Sequence, residues 1–100
     1  MAFYRLVQTH QLYDGFRCVV KAGRVELLVL HHQGQTHIVD NRCPHQGFPL
    51  DRGAIKGERL FCPRHGFGFH LTRGDCFQAS SCTLPIYVAA YDGQWLGVEL

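Results

Sequence analysis

Two short segments, Cys43-Pro44-His45-Gln46-Gly47 and Cys62-Pro63-Arg64-His65-Gly66, each carry one cysteine and one histidine on a turn rich in proline and glycine. Together they offer four ligands for one metal centre, so the rest of the chain must fold in a way that brings the two knuckles together. A zinc finger usually takes two cysteines from one turn and two histidines from a helix, whereas each turn here supplies one of each. That mixed order points to iron and sulfide. The intervals are unequal, Cys-x-His and then Cys-x₂-His, with sixteen residues between His45 and Cys62.

The flanks read as β structure. Phe3 to Gln8, Phe16 to Lys21, Val25 to His31 and Thr36 to Asp40 are short segments rich in Val, Leu and aromatics. Turns at Tyr13-Asp14-Gly15, Ala22-Gly23 and Gln33-Gly34 separate them. Leu84 to Tyr91 is expected as one strand, followed by an Asp92-Gly93 hairpin signal and Gln94 to Leu100, with Trp95 covering the end of a sheet. Between the flanks lie the knuckles, a turn region at Gly53 and Gly57, a short Leu60-Phe61 strand, and Phe67 to Leu71 before Thr72-Arg73-Gly74-Asp75. No apolar spacing of 3.6 persists for three turns, and eleven glycines interrupt the chain too often for a helical bundle. The expectation is one domain over residues 1–100, a β scaffold with a metal-binding insertion at about 41–79.

A hydrophobic fraction of 46% supports a packed core. The net charge of +2 comes from scattered residues, which argues against a nucleic-acid groove. No stretch is long enough to cross a membrane, and Arg5, Gln8, His10 and Gln11 interrupt the first apolar residues, unlike a secretory leader. Five cysteines without an obvious disulfide framework fit a reducing cytoplasm.

Thiolates donate strongly to ferric iron and imidazoles more weakly, so a cluster with two of each can carry cysteine on one iron and histidine on the other. An oxidised two-iron, two-sulfide cluster so ligated is formally neutral, and accepts an electron more easily than one with four thiolates. Pro44 and Pro63 stiffen the loops, and Gly47 and Gly66 let backbone N–H groups approach the sulfurs.

The sequences Cys-Pro-His-Gln-Gly, Cys-Pro-Arg-His-Gly-Phe-Gly-Phe and Thr-Arg-Gly-Asp resemble the Rieske [2Fe–2S] family, and the resemblance covers essentially the whole chain. It implies an all-β, Rieske-like antiparallel sandwich with a small cluster-binding insertion. It implies further that Cys43 and Cys62 hold a buried iron, that His45 and His65 hold an outer one, and that electrons leave through the imidazoles. The high-potential respiratory members carry an extra cysteine in each knuckle, joined as a disulfide; the corresponding positions are Phe48 and Arg64. Those members also place a hydroxyl-bearing serine and tyrosine where this chain has Phe67 and Phe69. Without these hydrogen bonds the potential is expected near the low end of the Rieske range, roughly −150 mV. The resemblance is therefore to Rieske ferredoxins, which carry single electrons from a flavin-dependent NAD(P)H reductase to a terminal oxygenase. Many relatives have Trp or Leu at the position of Arg64 and Asp at that of His70.

Two other readings stay open: a small Rieske subunit of a multi-component oxidoreductase such as nitrite reductase, and a zinc-stapled interaction module. No catalytic set of its own emerges, so the chain is expected to be a carrier rather than an enzyme. Phe48, Phe67 and Phe69 are expected to exclude water from the cofactor. Arg64 is either a solvated side chain or a group that steers an acidic partner. His10, His31, His32 and His37 are expected as exposed strand or turn residues, and His70 as a surface hydrogen-bonding group. Cys18 is expected as a small core hydrophobe, and Cys76 and Cys82 as thiols, although they could pair.

Overall fold

The computed structural model describes residues 2–44, 47–64, 66–76, 78 and 82–100. Its organising element is a four-stranded antiparallel sheet, in the order β2-β3-β4-β8. The strands are Arg17–Ala22 (β2), Val25–His32 (β3), Gln35–Asp40 (β4) and Ile86–Tyr87 (β8). Leu27, Leu28, Val29 and Leu30 of β3 are all 0% exposed, an unbroken apolar run that a strand tolerates only when both of its faces are covered. Alternation divides the run. Leu27 and Val29 join one hydrophobic cluster with Ile38, Leu6, Val7, Leu96 and Val98. Leu28 and Leu30 join the other, with Val39, Leu60, Phe69, Leu71 and both knuckle cysteines.

An outer sheet in the order β1-β10-β9 covers the first face. It comprises Phe3–Gln8 (β1), Ala90–Asp92 (β9) and Trp95–Glu99 (β10). The pairing of β1 with β10 slips between Arg5 and Val7, and this bulge lets the consecutive Leu6 and Val7 both turn inward. A third sheet, of Ala54–Lys56 (β5), Arg59–Phe61 (β6) and Gly68–His70 (β7), supplies Leu60 and Phe69 to the second face. The β3–β4 turn holds positive φ at Gln33 (52°) and Gly34 (78°), the type I′ pattern that matches strand twist. Among the described residues no helix is long and apolar enough to cross a membrane.

The all-β, antiparallel expectation agrees with this architecture, and Phe3–Gln8 falls where the sequence puts it. Three expectations are corrected. Leu84 to Tyr91 is not one strand: β8 pairs with β4 of the central sheet and β9 with β10 of the outer sheet, so the chain changes partners across Val88 and Ala89. Hydropathy alone cannot mark such a crossing, because both halves are apolar. The Gly53 and Gly57 region is not merely a turn but frames β5, a three-residue strand paired with β6. Phe67 and Leu71 lie just outside β7, since Phe67 belongs to the second knuckle and Leu71 begins the following turn.

Candidate metal centre

The first knuckle follows the end of β4, and the second is the loop that joins β6 to β7, closed by the Phe61↔Gly68 pair. Both are built on the same two backbone hydrogen bonds. The Cys43 N–H donates to the Phe48 carbonyl (2.8 Å), and the Cys62 N–H donates to the Phe67 carbonyl (2.8 Å). The Gly47 N–H returns to the Cys43 carbonyl (2.6 Å), and the Gly66 N–H to the Cys62 carbonyl (2.9 Å). Gly47 and Gly66 sit at φ 75° and 71°, a left-handed geometry that suits glycine and ends each one-turn loop. The glycine amides thus close the turns; their own N–H groups are engaged by cysteine carbonyls, not left for sulfur. The hydrogen bonds that bound the two turns match from cysteine to glycine.

Cys43 is 1% exposed and Cys62 is 2%, and both belong to the hydrophobic cluster on the second face of the central sheet. Two buried thiols on matched turns offer soft donors in a dry setting, a pair whose chemistry would fit one end of a cluster of iron and sulfide. His45 and His65 lie outside the described residues. Among the described residues no group of three or more metal-ligating side chains gathers. Phe69 is fully buried, and Phe48 and Phe67 are half-buried and packed on the same cluster, so these rings keep water from the cysteines as expected.

The side chains that hold the knuckles in place are less visible in the sequence. Asn41, 5% exposed, accepts the Leu50 N–H on Oδ1 (3.0 Å) and donates through Nδ2 to Glu26 Oε1 (2.9 Å) and Asp51 Oδ1 (3.3 Å). Arg17 reaches from β2 to donate to the carbonyls of Asp51 (3.0 Å) and Gly53 (2.5 Å). Behind the second knuckle, Gln78 donates to the Gly66 carbonyl (2.9 Å) and accepts the Gly68 N–H (2.9 Å). Its side-chain amide so imitates a neighbouring strand. An asparagine two residues before a knuckle cysteine is a signal that could have been read as a turn anchor; nothing in the sequence marks Arg17 or Gln78.

Arg64 is exposed, and its guanidinium carbon lies 5.6 Å from the centre of the Phe48 ring, a cation–π contact that spans the two knuckles. These are the positions at which the resemblance to high-potential members places a disulfide. The five cysteines are free thiols. Burial pushes the Cys82 thiol up from its ordinary value, and neighbouring Cys76 adds to the shift.

The remaining histidines are more engaged than expected. His31 Nδ1 bonds the Thr36 hydroxyl (2.9 Å), His32 Nε2 donates to the Gly57 carbonyl (3.1 Å), and all of His31, His32 and His37 are half-buried. Partners on β4 and the β5–β6 turn draw them in. His70 is 9% exposed and not a surface group: its Nδ1 accepts the N–H groups of Thr72 (3.1 Å) and Arg73 (3.2 Å), as a carboxylate does in an Asx turn. The ring proton therefore sits on Nε2, 3.5 Å from Glu58 Oε2.

Residues 2–91 match the Rieske [2Fe-2S] domain. Human apoptosis-inducing factor 3 is 36% identical over 64 residues, which span 64% of this chain and 11% of that protein. The chain therefore spans about a tenth of that relative. The ferredoxin component of the alkene monooxygenase system of Xanthobacter autotrophicus is 29% identical over 83 residues, 82% of this chain and 68% of that one. Among solved structures, the ferredoxin of Sphingomonas yanoikuyae B1 superposes with a TM-score of 0.85 at 24% identity, covering 99% of each chain. A Mycobacterium tuberculosis protein assigned as an NADH-dependent nitrite reductase small subunit superposes at 0.84 with 19% identity, covering 97% of this chain and 93% of that one. Likeness at these identities is a likeness of fold. With a match over most of its length, and buried cysteines on paired turns, the chain belongs to the Rieske [2Fe-2S] domain family.

Proposed function

We propose that this chain is a Rieske ferredoxin, a one-electron carrier between a flavin-dependent NAD(P)H reductase and a terminal oxygenase. The observation that carries the reading is the pair of matched turns, each burying one cysteine in a shared apolar cluster within a chain that the family match spans almost completely. The proposed ligands are Cys43 and Cys62 at the buried end and His45 and His65 at the outer end. When bound, the [2Fe–2S] cluster supplies a reversible one-electron couple. The chain's own residues hold the cysteines in fixed turns, exclude water through Phe48, Phe67 and Phe69, and leave Pro44, Pro63 and Arg64 exposed to a partner. Residues 1–100 act as one unit, because β3 packs the knuckles on one face and the outer sheet on the other. Five free thiols suit a cytoplasmic setting.

The alkene monooxygenase ferredoxin, of which the match covers 68%, favours the carrier reading. The fold match to the assigned nitrite reductase subunit favours an alternative, in which the chain is a fixed subunit of a larger oxidoreductase. Anaerobic purification followed by reduction tests the cluster: a red-brown protein with the rhombic EPR signal of mixed His/Cys ligation is expected. A colourless protein with stoichiometric zinc would overturn it. Co-purification then separates carrier from subunit. A salt-resistant stoichiometric complex identifies a subunit, and transient, salt-sensitive association identifies a carrier.

A further inference from the structure

Three arginines surround the first knuckle, and none forms an ion pair among the described residues. Arg42 lies along Gly47, where an added Cβ would stand 3.3 Å from Arg42 Nε. Arg64 is held over the Phe48 ring at 5.6 Å. Arg52 lines one hollow with Phe48, Pro49 and Asp51. All three are exposed. Of the nearby acids, Asp51 accepts from Asn41, while Asp40 is half-buried at the end of β4, where burial raises its carboxyl and the charge of Arg42 partly opposes that rise without a close ion pair. The other arginines of the cluster-binding part, Arg59 and Arg73, are paired with Asp75 on the flank of β7.

We propose that Arg42, Arg52 and Arg64 form a basic collar around the knuckles on which an acidic face of a redox partner protein docks. Packing against Gly47 and Phe48 limits the freedom of Arg42 and Arg64, so the positive field is aimed at the knuckles before any partner arrives. A cluster ligated by two thiolates and two imidazoles is formally neutral when oxidised, and does not cancel that field. Such a fixed patch raises the encounter rate of opposite charge by tenfold or more at low ionic strength, and salt screens it. Carriage of electrons gives the patch a use, so the inference rests on the proposed function.

Small oxidants test the collar without the natural partner. The reduced protein passes one electron to ferricyanide, an anion, or to tris(phenanthroline)cobalt(III), a cation; in each case the oxidant's metal gains the electron that the protein loses. With ferricyanide the rate should fall as salt rises, and with the cobalt complex it should rise. The R42E/R52E/R64E variant should lose about tenfold of the ferricyanide rate and reverse both salt slopes. R24E, a charge reversal at the exposed β2–β3 turn, should change neither. A decaglutamate peptide should slow ferricyanide oxidation of the native protein and leave the triple variant unaffected. Inhibition by an oligothymidylate of equal length to the same degree would overturn a protein partner in favour of a general polyanion surface. Salt slopes that the triple variant leaves in place would overturn the collar itself. Absence of any reducible chromophore would instead overturn the proposed function, so the two failures are distinguishable.

Discussion

The two knuckles share one hydrogen-bonded turn and differ in everything that holds it. The first is tied to the central sheet by a buried asparagine and a long arginine: Asn41 fixes Leu50, and Arg17 fixes Asp51 and Gly53. The second is part of a hairpin, and its back is held by Gln78, an exposed side chain that bridges Gly66 and Gly68. One knuckle is thus anchored by the scaffold and the other by its own sheet and a following loop. Matched turns present the two cysteines alike, and the supports decide how firmly each is held.

The largest expected effect tests what the knuckles share. Cys43→Ser and Cys62→Ser should each abolish cluster assembly, read as loss of iron, acid-labile sulfide and visible absorbance from the purified protein. Retention of the cluster by one of the two would break the equivalence of the turns.

Next come two glycines that contact the same residue. A Cβ on Gly53 would stand 2.1 Å from the Phe61 carbonyl oxygen and 3.2 Å from the Leu50 carbonyl oxygen, both fixed backbone. On Gly68 it would meet the Phe61 ring, 2.6 Å from Cε1. The ring is half-buried and can swing; the carbonyl belongs to β6 and cannot move without its ladder. Gly53→Ala should therefore cost about 3 kcal/mol or more and Gly68→Ala about 1 kcal/mol, following the cost of overpacking. Thermal unfolding of the two variants checks the order, and equal midpoints would mean that the first knuckle has as much slack as the second.

The supports themselves separate next. Asn41→Ala removes the acceptor of the buried Leu50 N–H and should cost about 1–3 kcal/mol of global stability. Gln78→Ala removes two hydrogen bonds to backbone and a long one from the Cys76 thiol (3.7 Å), and water replaces them only on the exposed Gly66 side, so global stability should change by about 1 kcal/mol, less than with Asn41→Ala. Its expected signature is local: faster cluster loss to a chelator and a shifted EPR spectrum, restored in part by Gln78→Asn only if reach is not limiting. A large fall in melting temperature with Gln78→Ala and none with Asn41→Ala would reverse the comparison.

Much of this was legible in the residues. Alternating and continuous apolar runs located β1 to β4, because each is a single excursion through one sheet, β2 and β3 ending in glycine turns. The cysteines on matched turns were legible because each is followed by proline and, four residues on, by glycine. Two things were hidden because they depend on contacts between separate segments, and a third because it depends on the side-chain geometry of one turn. The split at Val88 and Ala89 is set by which sheet each half joins. The anchoring by Arg17 and Gln78 joins positions far apart in the chain. His70, where the family resemblance implies aspartate, performs the acceptor role through Nδ1, which only the folded turn reveals.

The smallest expected effect concerns the seam between the scaffold and the flank of the second knuckle. His37 on β4 is half-buried, its backbone-facing partner is Leu71 just beyond β7, and burial holds its imidazole below the ordinary value of 6.5. The charges of His32, His31 and His70 push in the same direction, while the Leu71 backbone bond opposes it. A histidine whose folded value is depressed binds fewer protons folded than unfolded in the interval between that value and 6.5. Its contribution to stability is therefore complete above about pH 6.5 and falls as the pH drops through that interval. The melting temperature of the holoprotein should therefore decline as the pH drops below about 6.5. His37→Gln, which keeps a polar side chain and cannot titrate, should flatten the decline without moving the cluster's EPR signal. An unchanged pH profile in that variant would transfer the acid sensitivity from the scaffold seam to the knuckles.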